Sequence, residues 1–505
     1  MKSRFRALWL LFCTAIFVML AVGCNDTLRQ FIVPVPAPTG NPATLSHAVT
    51  LSTNPGSLAN GSDMHIDVSG DSSAGVVTVG PNPVFLGKAG SRAFTINSGD
   101  TSTPPTVSIY TALLPQSAIV STVTLPPTSL VPTGGTTSSA GNIYIANSGS
   151  NTVDVISGAV LAVTATVPVG THPVMIAGNA ANNKIFVVNQ GSNDVTEIST
   201  IDNTVVKTIA VGSQPVWGVM SADGLFVFIV NQGDGTVSVI DASLDIVLPC
   251  DTDTPSCLPN NSIKVGTTVA PSPNFAFYEP TLKRVYVSNT GESSISVIKA
   301  NGFDLGSNPQ VLPAKLADVA LSGRPTSVTA LSDGTRAYAA LGNCPAGVNH
   351  TTIIGLLATP TNCTGNLVSV IDAVSLQESS TITIGPGVIS IDSSPDASRV
   401  FALSARDITT IRDNVHLPNC QGANCLPPPP LPDRTFNTAS IYVIPTSTNV
   451  PLATAVDPSV VSSPLPTFHV PQQDPTCVPT LDLNFNNKVP QPCLLQIPFV
   501  VRTFP

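Results

Sequence analysis

Four residues occupy the same place in a recurring short phrase, directly before its proline. They are Asn82 in VGPNP, His172 in VGTHP, Gln214 in VGSQP and Arg324 in SGRP. An imidazole, two carboxamides and a guanidinium, gathered at one opening, would suit a small anion or a sugar. Catalytic constellations are missing elsewhere. There is no GxSxG, HExxH, P-loop or EF-hand pattern. The six histidines, His47, His65, His172, His350, His416 and His469, show no i,i+2 or i,i+4 pairing, so no metal-ligand set is expected. Haem attachment through CxxCH is absent, and Asp251 and Asp253 in DTDTPSC read as a solvated loop. The expectation is no catalytic residue, no cofactor and no metal.

The N-terminus carries a different chemistry. In MKSRFRALWLLFCTAIFVMLAVGC, Lys2, Arg4 and Arg6 precede an apolar run ending in Leu20-Ala21-Val22-Gly23-Cys24. The run is short for a membrane span and fits a secretory signal. Its end resembles a bacterial lipobox, in which small residues precede a cysteine that is acylated. Residues 1–23 then form a lipoprotein signal peptide, and Cys24 is the expected lipidation site. The attached acyl chains would hold the protein at a membrane surface of the bacterial envelope. Asn25 after the cysteine favours the outer membrane by analogy with enteric sorting. Residues 24–46, rich in Pro, Thr and Asn, read as a flexible tether.

Of ten cysteines, eight remain beyond Cys13 and Cys24, in four sequence-local pairs: Cys250/Cys257, Cys344/Cys363, Cys420/Cys425 and Cys477/Cys493. Each brackets a segment rich in Pro, Asn or Gly, so local disulfides in an oxidising compartment are expected. Net charge is −9 with no basic cluster past the first six residues, which excludes a nucleic-acid footprint. Only 10% of residues are charged, and 47 are proline. Much Val, Thr, Pro and Gly suits strands and turns rather than long helices.

The elements that would position the four polar residues follow from internal repetition. An apolar strand ending in Asn-x-Gly recurs at Asn97, Asn147, Asn189, Asn231 and Asn289, with degenerate copies at Arg336–Asn343 and Arg399–Asp407. Spacings of about 40–60 residues point to a propeller or solenoid. Between Val169 and Val211 the pattern is four short strands separated by turns, the blade of a β-propeller. The Asn-x-Gly phrase is then a turn between second and third strands, since five copies argue against a unique site. Tyr144, Phe186, Phe228 and Tyr286 recur at one strand position and are expected to pack between blades, with Trp217 in the core.

These phrases (V-G-x-x-P, then D-G, an aromatic-bearing strand ending in Asn, and V-S-V-I-D) are similar to the YVTN-type β-propeller repeat family. The resemblance implies an all-β, seven-bladed propeller over residues 62–445. Residues 446–505 would be a Pro-rich, disulfide-containing tail packed on it, with CLPPPPLPDR at Cys425–Arg434 spacing two strands. Gly75–Gly80 is expected to supply the outer strand of the last, seventh blade, joining the N- to the C-terminus. Inner strands begin beside the central channel, so Asn82, His172, Gln214 and Arg324 would ring one mouth. The expected role is a lipid-anchored, monomeric binding or scaffold module for protein or glycan, with the balance against an enzyme. The alternative is a lactonase-like hydrolase or lyase acting at the channel. For it, the acidic residues nearest in repeat register, Asp154 and Glu197, fall on third strands, away from the channel.

Overall fold

The computed structural model describes residues 47–53, 60–67, 72–89, 92–100, 102–111, 119–303, 305, 311–347, 363–411, 434–449, 468–469 and 497–504. Among these there are strands and no helix. The third repeat sheet shows how a phrase becomes a blade. Pro173–Ala177, Lys184–Asn189, Asp194–Ser199 and Val205–Ala210 pair antiparallel in that order. The first strand is wholly buried, whereas the fourth buries only Ile209. The turns use asparagine where the backbone is left-handed: Asn193 at φ 57° and Asn203 at φ 60°. Asparagine tolerates that region better than most residues.

Seven sheets built this way follow one another along the chain, matching the seven copies of the strand phrase. The aromatic of each second strand is fully buried: Phe94, Tyr144, Phe186, Phe228, Tyr286, Tyr338 and Phe401. Each contributes on the order of 1.5–3 kcal/mol by leaving water. A basic residue two positions earlier ties some sheets to the next. Lys184 donates to Ala242 O at 2.9 Å and pairs with Asp245. Arg284 donates to Ala373 O, and Arg336 to Asn449 Oδ1 at 3.0 Å. Trp217 is buried, its indole N–H donating to Ala276 O of the next inner strand at 3.1 Å.

The described residues hold an eighth four-stranded sheet, so the expected count of seven is corrected. Its order is Ser72–Pro81, Asn60–Asp67, His47–Thr53, Ile497–Phe504. It carries no copy of the phrase because it is assembled from both chain ends. The segment around Gly75–Gly80 is the outer strand of this eighth sheet, not of the last repeat blade as expected; in that blade Phe468–His469 is outermost. The C-terminal residues are not only a packed tail. Ile497–Phe504 lies against the inner strands of the seventh and first repeat sheets, and Phe468–His469 pairs with Arg434–Pro445. The eight inner strands thus neighbour one another in sequence, and the last returns to the first.

Two expected disulfides are present, Cys250–Cys257 and Cys344–Cys363. The first sits where the outer strand of the fourth repeat sheet is split into Ile246–Val247 and Ser262–Lys264. The second replaces the Asn-x-Gly turn of the sixth. Cys420, Cys425, Cys477, Cys493, Cys24 and His350 and His416 lie outside the described residues. A chain ending at Gln496 lacks the inner strand of the joining sheet. It should melt at lower temperature and less cooperatively than the full chain; an unchanged melt would contradict this closure.

Candidate functional site

The mouth of the ring rests on a buried amide. Asn189 ends the second strand of the third repeat sheet and is 0% exposed. Its Nδ2 donates to Thr196 Oγ1 at 2.9 Å and to Asp194 Oδ1 at 2.7 Å. The same side chain makes the same tie in four other sheets: Asn97 to Ser108 at 3.0 Å, Asn147 to Asp154 at 2.9 Å, Asn231 to Ser238 at 3.0 Å and Asn289 to Ser296 at 3.1 Å. The hydroxyl that accepts this bond also accepts a backbone N–H from the entry loop of the inner strand. Gly170 donates to Thr196 at 3.2 Å, and Gly266 to Ser296 at 2.8 Å. This explains the glycine of V-G-x-x-P. A Cβ on Gly170 or Gly212 would lie 2.5 Å from the Nδ2 of Asn189 or Asn231. The Oδ1 atoms of all five asparagines are buried without a hydrogen-bond partner. Such an orphan acceptor costs about 1–3 kcal/mol, which the Nδ2 bonds must offset.

The two residues after each asparagine fasten the entry loop through backbone bonds. Gln190 N–H donates to His172 O at 3.0 Å, and Gly191 N–H to Thr171 O at 2.9 Å. Gln232 and Gly233 repeat this on Gln214 and Ser213 at 3.0 Å each. The residue before the proline is held left-handed, at φ 47° for Asn82, 56° for His172 and 49° for Gln214. That conformation costs a non-glycine residue energy, and it persists because the surrounding bonds over-determine it. Neighbouring sheets add one more bond each. His172 N–H donates to Asn151 Oδ1, and Gln214 N–H to Asn193 Oδ1, both at 2.8 Å.

Two of the four expected residues share a site. His172 and Gln214 line an open recess of roughly 400 Å³ with Gln190, Gly191, Asn193 and Ser213. Asn82 does not line it; its Nδ2 is spent on Gly99 O of its own turn at 2.6 Å. Arg324 does not line it either, and its backbone N–H donates to Asn343 Oδ1 at 2.7 Å. The same register elsewhere holds Val131 and Ser272, at φ 53° and 50°, so the polar set is not a complete ring. Gln190, Asn193 and Ser213 carry no site signal of their own in the sequence because they lie in recurring turn phrases. The one distinguishing mark is that the x of Asn-x-Gly is glutamine only at 190 and 232.

The side chains of His172, Gln190 and Gln214 make no hydrogen bonds to other described residues. No carboxylate, lysine or arginine lines the recess. Asp154 and Glu197 are 0% exposed on third strands. Asp154 accepts from Asn147, Ser129 and Thr166. Glu197 lies 2.8 Å from Lys184 Nζ, and burial raises its carboxyl above the usual range despite that partner. Among the described residues, no group of three or more His, Cys, Asp or Glu side chains could hold a metal ion.

Inner strands that neighbour one another around a ring, each innermost in a four-stranded antiparallel sheet, define the architecture. The chain is a β-propeller. A solved structure of the dihydro-heme d1 dehydrogenase NirN in complex with DHE agrees, with a TM-score of 0.54 over 83% of this chain and 74% of that one, at 10% identity. The Pseudomonas aeruginosa periplasmic gluconolactonase PpgL matches with a TM-score of 0.48, 15% identity, 68% of this chain and 97% of its own. The β-propeller domain of Myceliophteria thermophila Cps50 (Swd1) matches at 0.45, 10% identity, 64% of this chain and 92% of its own. These likenesses concern the fold alone. No protein-family model matches the chain, and no curated protein sequence matches it.

Replacing Asn189 with alanine should destabilise the propeller by about 1–3 kcal/mol, since it removes the buried bonds to Thr196 and Asp194. Gln190→Ala, one residue on, should stay within about 0.5 kcal/mol. Equal losses in denaturant titrations would contradict the assigned roles.

Proposed function

We propose that this chain is a YVTN-type propeller, lipid-anchored through Cys24 in the bacterial envelope, that binds a glycan at the His172–Gln214 recess rather than performing catalysis there. The observation that carries this reading is the recess itself. No carboxylate, lysine or arginine lines it, and His172, Gln190 and Gln214 are uncommitted to other described residues. The carboxamides of Gln190, Asn193 and Gln214 each offer donors and an acceptor, as does every sugar hydroxyl, and the His172 ring nitrogens add to them. An ionic ligand would call for an opposing carboxylate, lysine or arginine, and the lining has none. A lactonase-like reaction would need a general acid or base beside its substrate. Glu197 and Asp154 are enclosed and engaged elsewhere, which leaves His172 without a carboxylate partner.

The setting rests on separate support. Two disulfides favour an oxidising compartment. The segment Leu20–Cys24 has the composition of a lipidation signal. Changing Cys24 to serine should move the protein from the membrane fraction to the soluble one in a bacterial host; continued membrane retention would reject lipidation at that residue.

Ligand binding is tested on the soluble form beginning after Cys24, against an array of neutral and acidic bacterial glycans. Neutral glycans should bind preferentially. The double change His172→Ala with Gln214→Ala should weaken binding roughly ten- to hundred-fold, as expected for two lost hydrogen bonds, without altering the melt. Full retention of affinity would dismiss the recess. Sugar-lactone hydrolysis above background, lost in the same variant, would establish the hydrolase alternative instead.

A further inference from the structure

One ionisable group lies fully buried where the sheet made from the chain ends meets the first repeat sheet. Asp63, on Asn60–Asp67, is 0% exposed. Its Oδ2 accepts from Thr95 Oγ1 at 2.7 Å and from the Tyr110 hydroxyl, both on the neighbouring sheet. Thr95 Oγ1 and Tyr110 OH are 3.2 Å apart and close the triangle. Asp63 Oδ1 is buried with no partner. Thr95 and Tyr110 are themselves 0% exposed.

The chemistry of this triangle favours a neutral acid. Both neighbours are hydroxyls, and no cation is among the groups that act on the carboxyl. A buried carboxylate without a counter-charge is costly, and protonation relieves it. A proton on Oδ1 leaves Oδ2 free to accept both hydroxyls. The other ionisable residues of the same sheet are His65 and Asp67 on the same strand, His47, paired in register with Asp67, and Arg502, paired with Val49. None is a register partner of Asp63, whose partners are Leu51 and Val77. Tyr110, held well above its ordinary value by burial and by Asp63, stays protonated.

We infer that the seam between the end-joining sheet and the first repeat sheet is a pH-sensitive latch, shut while Asp63 carries a proton and loosened when it ionises. Position makes this seam consequential. The end-joining sheet is the place where the ring is completed by two distant segments of chain, and its outer strand continues into the first repeat sheet only through Asn82. Burial pushes the Asp63 carboxyl up from 3.8 to about 7. Its folded value lies above the unfolded one, so the folded chain keeps a proton that the unfolded chain has lost between those values. The contribution to stability is therefore fully present in acid. It declines through that window at about a tenfold change in equilibrium constant per pH unit, and levels off above about pH 7.

The test compares thermal midpoints of the wild-type ectodomain and Asp63→Asn from pH 4.5 to 8.5. Hydrogen exchange, corrected for intrinsic rates, is followed in peptides covering 60–67 and 106–111, with 184–189 as the control. The wild type should lose midpoint relative to the variant as pH rises and then run parallel above about 7. Its seam peptides should open at least tenfold more at pH 8.5 than at pH 5.5, with the control unchanged. Midpoints that stay parallel throughout, or seam and control peptides that respond alike, would overturn the latch. If Asp63→Asn does not fold, Tyr110→Phe takes its place. Removing a donor that favours the ionised form should move the wild-type break to higher pH, and an unmoved break would overturn the latch equally.

Discussion

A ring of sheets is stable only when its first and last members meet, because every unpaired strand edge is a template for another chain. Here that constraint is met by joining the two ends of the chain in one sheet, His47–Thr53 beside Ile497–Phe504. Every other sheet is made from consecutive strands and can form locally. The joining sheet cannot form until the rest of the ring has brought the ends together. Its pairing carries a large loop-closure entropy, and the packing of two sheet faces must offset it. The seam is also where a carboxyl is enclosed with only hydroxyls for company. A group of that kind costs stability, so its presence is better suited to sensitivity than to strength.

Within the repeats, one buried amide organises the mouth. In five repeat sheets the asparagine ending the second strand ties to the third strand, and in the third of them the accepting hydroxyl also receives the entry loop of the inner strand. Small residues follow as a consequence, since glycine alone leaves room over the carboxamide. At Asn82, Val131, His172, Gln214 and Ser272 the residue before the inner-strand proline is held left-handed, with the His172 and Gln214 side chains exposed. The binding surface is in this sense a by-product of the repeat. What varies from sheet to sheet is only which side chain occupies the displayed position.

The repeat was legible in the sequence because its information is local. Asn-x-Gly, the buried aromatic and the alternation around them lie close together in the chain, and each marks one sheet. The eighth sheet was not legible as a copy, since its strands are scattered and none contains the phrase. Its outer strand near Gly75–Gly80 and the C-terminal IPFVVRTF both have strand-like composition, but nothing in their spacing pairs the two ends of the chain. The site was legible by half. His172 and Gln214 follow from register, whereas Asn82 occupies the same register and spends its amide on Gly99. No spacing rule distinguishes a free amide from a committed one. Gln190 was missed for the opposite reason: a residue in a recurring turn was credited to the turn alone.

The joining of the chain ends is the claim on which the ring, the seam and the mouth all depend. It is tested most directly by the double change Thr50→Cys with Val501→Cys, at two positions that are register partners, and by measuring intrachain disulfide formation in the folded ectodomain by mass spectrometry after proteolysis. The structure predicts a single new cross-link between these two introduced thiols in the folded protein, one that does not form when the chain is unfolded first. Two thiols that remain free in the folded protein would contradict it.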